Sequence, residues 1–201
     1  NLQEFLPELV RQVGTLSTPA PASHLDYRAW CKDRVARYPT VLAEYSANEK
    51  GPVNPYYFVE ELFSRLPSAS NIVCGDGTAC VVTFQAAIIK QNTRLFSNSG
   101  SASMGYDLPA ALGVAIATGE RTWCIAGDGS IMMNIQELQT LSSKKLDVVI
   151  IILNNDGYHS IRQTQQNYFP ENIAGCGPDS GLEFPRFESV AGAFGFEYQR
   201  I

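Results

Sequence analysis

The fold is decided by residues 121–155, which read RTWCIAGDGSIMMNIQELQTLSSKKLDVVIIILNN. One apolar run ends in a Gly-Asp-Gly turn, an amphipathic stretch follows, and a second apolar run ends in two asparagines. Helical spacing of the middle stretch indicates a helix, whereas an uninterrupted apolar run is typical of a strand that a parallel sheet buries on both faces. The stretch therefore predicts a βαβ unit, whose strand, helix and strand are Arg121–Ala126, Ile131–Ser142 and Asp147–Leu153.

The same alternation extends to both sides of this unit. Asn54-Pro55 is a helix start, because asparagine caps the first N–H groups and proline fits the first helical position. Predicted helices are Asn54–Leu66, Thr78–Lys90, Leu108–Thr118 and Arg186–Phe194, and predicted strands are Asn71–Cys74, Arg94–Phe96 and Glu197–Arg200. Alternating strands and helices predict an α/β fold with a doubly wound, mainly parallel sheet flanked by helices. Ligands bind such sheets outside the carboxyl ends of the strands.

The first fifty residues follow a different pattern. Apolar residues at helical spacing predict a helix over Leu2–Val13, and Thr15–Ser23, rich in Pro, Ser, Thr and Ala, predicts a linker. A short helical pattern at Tyr27–Tyr38 comes next, and a segment rich in Gly, Pro and Asn then marks a boundary. We expect residues 1–50 to be a connector from a preceding domain and residues 51–201 to form the ligand-binding domain.

The charge of the chain limits its partners. The 201 residues carry a net charge of −5, with 15 basic and 20 acidic side chains. Nucleic acids and anionic membrane surfaces are bound by basic faces, so we expect neither as a partner. No apolar run approaches the roughly 20 residues of a membrane helix. A phosphate ligand remains compatible, because backbone N–H groups or a metal ion can hold it.

Cysteine usage predicts the compartment. The chain has five cysteines, an odd number, and none forms a Cys-x-x-Cys pair. This pattern favours free thiols in the cytoplasm and argues against a zinc site. The first 20 residues include charges and a proline instead of a basic start and an apolar core, so we expect no signal peptide. Because the chain begins at Asn1, we expect a piece of a longer polypeptide.

The tetrapeptide Gly127-Asp128-Gly129-Ser130 is the first candidate site. Glycines let the backbone approach a ligand closely, and the N–H and hydroxyl of Ser130 would face an anion at the start of the following helix. A plain strand-to-helix turn is the alternative. The dinucleotide motif G-x-G-x-x-G is not present here, since Met132 occupies the position of its third glycine. It is also not present at Gly75-Asp76-Gly77, where Cys80 occupies that position. A P-loop is absent from the sequence.

Asn154-Asn155 adds a second element to this site. The carboxyl ends of neighbouring parallel strands lie close together, so Asp128 and Asn155 are expected to converge. A carboxylate, an amide oxygen and a backbone carbonyl form an all-oxygen partial shell of the kind that Mg²⁺ takes, completed by phosphate and water. A purely structural turn is again the alternative.

These residues together resemble the cofactor motif of thiamine-diphosphate enzymes. Gly-Asp-Gly-Ser is followed by 24 residues between Ser130 and Asn155, and then by Ile161-Arg-Gln. The stretch is similar to the diphosphate-binding domain of the acetolactate synthase and 2-oxo-acid decarboxylase group. A second stretch, Ser103–Gly113, reads SMGYDLPAALG and resembles the segment beneath the cofactor's pyrimidine ring. The resemblance covers residues 54–201.

The resemblance implies a set of ligands. Asp128, the Asn155 side chain and the Gly157 carbonyl would bind Mg²⁺. Contacts to the diphosphate would come from Gly127, Gly129 and Ser130, and, mostly through the backbone, from Gly77, Thr78 and Ala79. The Ala102 carbonyl and the Met104 N–H would hold the aminopyrimidine, and the Met104 side chain would keep the cofactor bent. Tyr158, His159 and Ser160 would approach the diphosphate or the substrate.

The resemblance also implies that the domain is incomplete alone. Members of the group activate the cofactor with a glutamate from a pyrimidine-binding domain, which no segment of this chain resembles. We expect that domain on the same or a partner chain, a homodimer or homotetramer, and a small 2-oxo acid as substrate. Thr164 stands where acetolactate synthases usually have a channel tryptophan. A related decarboxylase or lyase, a non-catalytic thiamine-diphosphate-fold module and a flavodoxin-like or Rossmann nucleotide binder therefore stay as alternatives.

Overall fold

The computed structural model describes residues 1–16, 21–46 and 51–201. The chain divides into two compact units, Asn1–Pro39 and Thr40–Ile201. The expected linker and the expected boundary segment lie partly outside the described residues, so the division at residue 50 stays a prediction. The first unit contains two helices, α1 (Leu2–Gly14) and α2 (Ala22–Arg37). The second helix starts five residues earlier than its sequence pattern indicated.

The second unit carries the alternating elements. Its strands are β1 (Asn71–Cys74), β2 (Arg94–Phe96), β3 (Thr122–Gly127) and β4 (Val148–Leu153). Its α-helices are α3 (Pro55–Arg65), α4 (Thr78–Ala86), α5 (Asp107–Thr118), α6 (Asp128–Ile131), α7 (Glu137–Lys144), α8 (His159–Tyr168) and α9 (Phe187–Ala193). Short 3₁₀ turns cover Ala43–Ser46, Met132–Asn134 and Pro178–Ser180.

The four strands form one parallel sheet in the order β2-β1-β3-β4. Helices cover both of its faces. On one face, α5 and α7 pack over Val73, Cys124 and Ala126. On the other, α3 and α4 pack over Ile72, Cys74 and Ile125. Successive residues of a strand thus enter opposite cores, which confirms the predicted α/β fold with a doubly wound parallel sheet.

Four local predictions were wrong. The single helix predicted over Ile131–Ser142 is divided into the 3₁₀ turn Met132–Asn134 and α7, Glu137–Lys144. No strand forms at Glu197–Arg200, and these residues are exposed, so no neighbouring strand or helix buries them. The helix predicted over Thr78–Lys90 ends at Ala86 because Ala87 turns to extended backbone. Strand β4 is half-buried beyond Val148 instead of buried on both faces, since it is the last strand on its side of the sheet.

The structure also describes the cysteines and the lengths of the helices. All five cysteines are free thiols. Over residues 1–16, 21–46 and 51–201, none of the helices has both the length and the apolar character that a membrane span requires. The cytoplasmic location stays a prediction.

Candidate cofactor-binding site

The predicted meeting of Asp128 and Asn155 is present in the structure. Gly127 at the end of β3 is in register with Leu153 at the end of β4, so the residues that follow are neighbours. The Asp128 carboxylate is 2% exposed. It accepts the N–H of Gly129 at 2.8 Å on Oδ1 and the N–H groups of Asn155 and Gly157, each at 3.0 Å, on Oδ2. One carboxylate therefore ties the two strand ends together.

The Asp128 carboxyl lies in a desolvated position. Burial raises the pKa of this carboxyl, and the three N–H groups that it accepts oppose the rise. The side-chain Oδ1 of Asn155 is buried and has no hydrogen-bond partner among the described residues. A buried acceptor without a partner is costly unless a ligand, water or ion completes it. The carboxylate and the orphaned amide oxygen are both hard oxygen donors, and they fit Mg²⁺.

The oxygen atoms available to a cation at this edge come mostly from uncharged groups. No three His, Cys, Asp or Glu side chains gather at a candidate metal site within the described ranges. A cation here would thus depend on one carboxylate, one amide and backbone oxygen. Gly157 suits such a backbone role, because its φ of +138° belongs to the region that favours glycine. A Cβ at Gly157 would also overlap the carbonyl oxygen of Cys176.

Two contacts that sequence reasoning missed hold the Asn155–Gly157 loop. The guanidinium of Arg162 donates to the Asn155 carbonyl at 2.7 Å. The N–H of Tyr158 donates to the Cys176 carbonyl at 3.0 Å. Arg162 lies within the Ile161-Arg-Gln stretch on which the resemblance partly rests, but no sequence pattern indicated its partner.

Tyr158 lies against the Gly127–Gly129 turn. Its expected approach to the diphosphate or the substrate stays a prediction. A Cβ at Gly129 would overlap the Tyr158 ring and would come within 3.2 Å of Phe184. The two rings meet edge to face with centroids 6.0 Å apart. Because the turn and the rings are this close, only glycine fits at position 129. His159 and Ser160 are exposed at the start of α8, and their ligand roles stay predictions.

Ser130 differs from its expected role. We expected both its N–H and its hydroxyl to face an anion. In the structure the hydroxyl donates to Asp107 Oδ2 at 2.5 Å and accepts the N–H of Gly105 at 2.9 Å. The hydroxyl is thus used within the protein, and the backbone N–H is the group left to a diphosphate.

Asp107 itself was missed by sequence reasoning. It is fully buried, and burial raises the pKa of its carboxyl. The sequence contained one signal, since Asp107 is the one charged residue in the stretch 107–118. Its second oxygen accepts the N–H of Leu108 at 3.0 Å.

The predicted pyrimidine segment lies beside Ser130. Ala102 has a φ of +51°, which is uncommon for a residue with a side chain, and its N–H donates to the Asn98 carbonyl at 2.7 Å. Met104 is half-buried. The adjoining Gly105 makes the hydrogen bond to Ser130, so this segment is connected to the Gly127–Gly129 turn.

The third predicted segment lies at the same edge of the sheet. Gly77, with a φ of +66°, precedes the first residue of α4, and its carbonyl accepts the N–H of Val81. Thr78 is half-buried, and Ala79 is fully buried. Since β1 is parallel to β3 and adjacent to it, this turn and the Gly127–Gly129 turn leave the sheet side by side.

The fold and this edge together define an α/β domain with buried oxygen atoms where its parallel strands end. Comparison with known proteins specifies the class. Residues 75–201 match the family described as thiamine pyrophosphate enzyme, C-terminal TPP binding domain. The chain belongs to this family.

Its relatives include large subunits of acetolactate synthase. The chain is 31% identical over 147 residues to the isozyme 1 large subunit of Escherichia coli strain K12, a match that covers 73% of this chain and 26% of that protein. It is 41% identical over 144 residues to the isozyme 2 large subunit of the same strain, a match that covers 71% of this chain and 26% of that protein. The acetolactate synthase large subunit of Parasynechococcus marenigrum is 39% identical over 106 residues, a match that covers 52% of this chain and 17% of that protein. The matches span about a quarter or less of these relatives.

Proposed function

We propose that the chain binds thiamine diphosphate together with Mg²⁺ as one domain of an acetolactate-synthase-like enzyme, which decarboxylates a 2-oxo acid and carries out carboligation. The observation that carries the proposal is the meeting of the two strand ends, where buried Asp128 accepts the Asn155 N–H and the Asn155 amide oxygen is buried without a partner among the described residues. Acetolactate synthase relatives support the reaction class.

Each segment has a distinct task in this proposal. The Asp128 carboxylate, the Asn155 amide oxygen and the Gly157 carbonyl hold the cation. The cation and the backbone N–H groups of the Gly127–Gly129 turn and Ser130 neutralise the diphosphate, so that an acidic chain needs no basic patch. The Gly77–Ala79 turn adds backbone contacts from the neighbouring strand.

The remaining residues position the organic part of the cofactor. The Ala102 carbonyl and the Met104 N–H hold the aminopyrimidine, and the Met104 side chain supports the bent shape. When bound, thiamine diphosphate supplies the electron sink for loss of CO₂ from a 2-oxo acid. Activation requires a glutamate from a pyrimidine-binding domain, on the same or a partner chain of a cytoplasmic homodimer or homotetramer.

Calorimetric titration of the chain with thiamine diphosphate, with and without Mg²⁺, tests the binding. We expect binding that depends on the metal and is abolished in Asp128→Ala. Asp147→Ala is the control, because Asp147 is an exposed carboxylate that pairs with Arg121 at the other end of β4. Binding that persists unchanged in Asp128→Ala would overturn the metal assignment.

A turnover assay separates an enzyme domain from a binding module. With thiamine diphosphate, Mg²⁺ and pyruvate, we expect no release of CO₂ by the chain alone and release after a pyrimidine-binding domain is added. Acetolactate among the products would support carboligation, whereas acetaldehyde alone would indicate a decarboxylase. Cofactor binding without turnover in the complemented protein would indicate a non-catalytic module.

A further inference from the structure

Both backbone polar groups of Gly105, its N–H and its carbonyl, are held by residues that follow β3. Its N–H donates to the Ser130 hydroxyl at 2.9 Å, and its carbonyl accepts the Asn134 side-chain amide at 2.7 Å. Gly105 is buried and has a φ of +82°. A Cβ there would lie 2.8 Å from Asn134 Nδ2 and 2.9 Å from Met133 Cβ. The segment that contains Met104 is therefore fixed at Gly105 on two sides.

Asp107 sets the direction of the Ser130 hydroxyl. Its Oδ2 accepts the hydrogen bond that the hydroxyl donates, so a lone pair of Ser130 Oγ is left to face the Gly105 N–H. The N–H of Leu108 holds the other carboxylate oxygen at the start of α5. Because these groups are all buried, each hydrogen bond is protected from competition with water.

We infer that Asp107, Ser130 and Asn134 form a clamp on Gly105 that fixes the distance between the diphosphate end and the pyrimidine end of the cofactor site. This inference rests on the proposed function. The clamp residues are positioning residues, since they act through Gly105 on Met104 and Ala102. In this view the Ser130 hydroxyl is not a phosphate ligand, although the Ser130 N–H is.

The clamp makes a prediction that a phosphate-binding hydroxyl does not. Thiamine diphosphate uses both ends of the site, whereas inorganic pyrophosphate uses only the diphosphate end. In the presence of Mg²⁺, we expect Ser130→Ala to weaken binding of thiamine diphosphate by about tenfold, in line with the loss of a buried hydrogen bond. Binding of pyrophosphate should stay within about twofold of the unaltered chain, because the backbone N–H groups are kept.

A matched control is available at the opposite end of the sheet. Ser70 is also buried, and its hydroxyl donates to the Pro67 carbonyl at 2.8 Å. Ser70→Ala removes the same group from a buried site before β1, and both affinities should remain unchanged. Equal weakening of both ligands by Ser130→Ala would overturn the clamp in favour of a phosphate-binding hydroxyl, and no weakening of either would also overturn it.

Amide hydrogen exchange on the unliganded chain tests the clamp without any cofactor. We expect the Gly105 amide to exchange about tenfold faster in Ser130→Ala, and by a smaller factor in Asp107→Ala, than in the unaltered chain or in Ser70→Ala. Unchanged exchange at Gly105 in Ser130→Ala would overturn the clamp even if the chain binds thiamine diphosphate. Failure of the unaltered chain to bind either ligand would instead overturn the proposed function.

Discussion

Two Gly-Asp-Gly turns leave the same edge of the sheet, yet only one of them buries its carboxylate. Gly75–Gly77 follows β1, and Gly127–Gly129 follows the adjacent strand β3. Asp128 is 2% exposed and accepts three N–H groups, whereas Asp76 is only half-buried and has no hydrogen bond to any residue that the structure describes. The Gly-Asp-Gly tripeptide alone is therefore not sufficient to bury its carboxylate. Asp128 is buried where the loop that follows β4 supplies two of its N–H partners.

The largest difference between the turns is expected from removal of each carboxylate. Asp128→Ala leaves three N–H groups without their acceptor, and we expect the free energy of unfolding to fall by about 3 kcal/mol. Asp76→Ala should change it by less than about 0.5 kcal/mol. Urea titrations of both variants measure the two changes. A similar loss of unfolding free energy in both variants would show that the two aspartates contribute equally to stability.

The first glycine of each turn is expected to give the next largest difference. A Cβ at Gly75 would lie 2.5 Å from Asp107 Oδ2, whereas nothing lies within 4 Å of a Cβ at Gly127, where φ is −82°. We expect Gly75→Ala to lower the free energy of unfolding by about 2 kcal/mol, since an extra methyl group must push into a packed core.

Gly127→Ala should leave the free energy of unfolding within about 0.5 kcal/mol of the unaltered chain, because its methyl group enters open space. Thermal unfolding of the two variants is the measurement. A larger loss for Gly127→Ala than for Gly75→Ala would contradict the packing described for the two turns.

A smaller effect concerns the pH dependence of Asp107, which lies between the turns. Burial raises the pKa of this carboxyl above its ordinary value of 3.8, so the folded state binds its proton more tightly than the unfolded state does. Its contribution to stability is therefore full below that ordinary value and declines as the pH rises through the raised pKa. The loss caused by Asp107→Asn should accordingly shrink as the pH rises.

Urea titrations from about pH 4 to about pH 8 compare Asp107→Asn with Asp147→Asn, which removes an exposed carboxylate. A loss that grows with pH would show that Asp107 is not held in a desolvating site.

The smallest difference is expected in the reactivity of the cysteines in β1 and β3, the strands that precede the two turns. Burial raises the pKa of the Cys74 thiol in β1 to about 12 and that of Cys124 in β3 well above its ordinary value. Thiolates are the reactive form, so iodoacetamide at about pH 8 should leave both unlabelled in the folded chain. Cys80, which is partly exposed in α4, should react first of the three. Labelling of Cys74 or Cys124 as fast as Cys80 would indicate a looser core beneath the turns.

The parts of the site that sequence could predict depend on local signals. Short apolar runs and helical spacing predicted the alternating elements, and the rule that parallel strands end at one edge predicted the meeting of Asp128 and Asn155. The clamp could not be predicted, because Asp107 and Ser130 belong to different βαβ units. Their contact depends on the strand order β2-β1-β3-β4, which no local pattern encodes. The predicted strand at Glu197–Arg200 was wrong because these exposed residues pair with no strand of the sheet β2-β1-β3-β4.

The all-parallel sheet also sets an order of events during folding. Every pairing joins strands separated by a helical crossover, so no hairpin brings two neighbours together early. Contacts between distant parts of a sequence form slowly. Asn155 and Gly157 can supply their N–H groups to Asp128 only after β4 has aligned with β3. We therefore expect a chain emerging from the ribosome to build both cores before the Asp128 carboxylate gains all of its N–H partners.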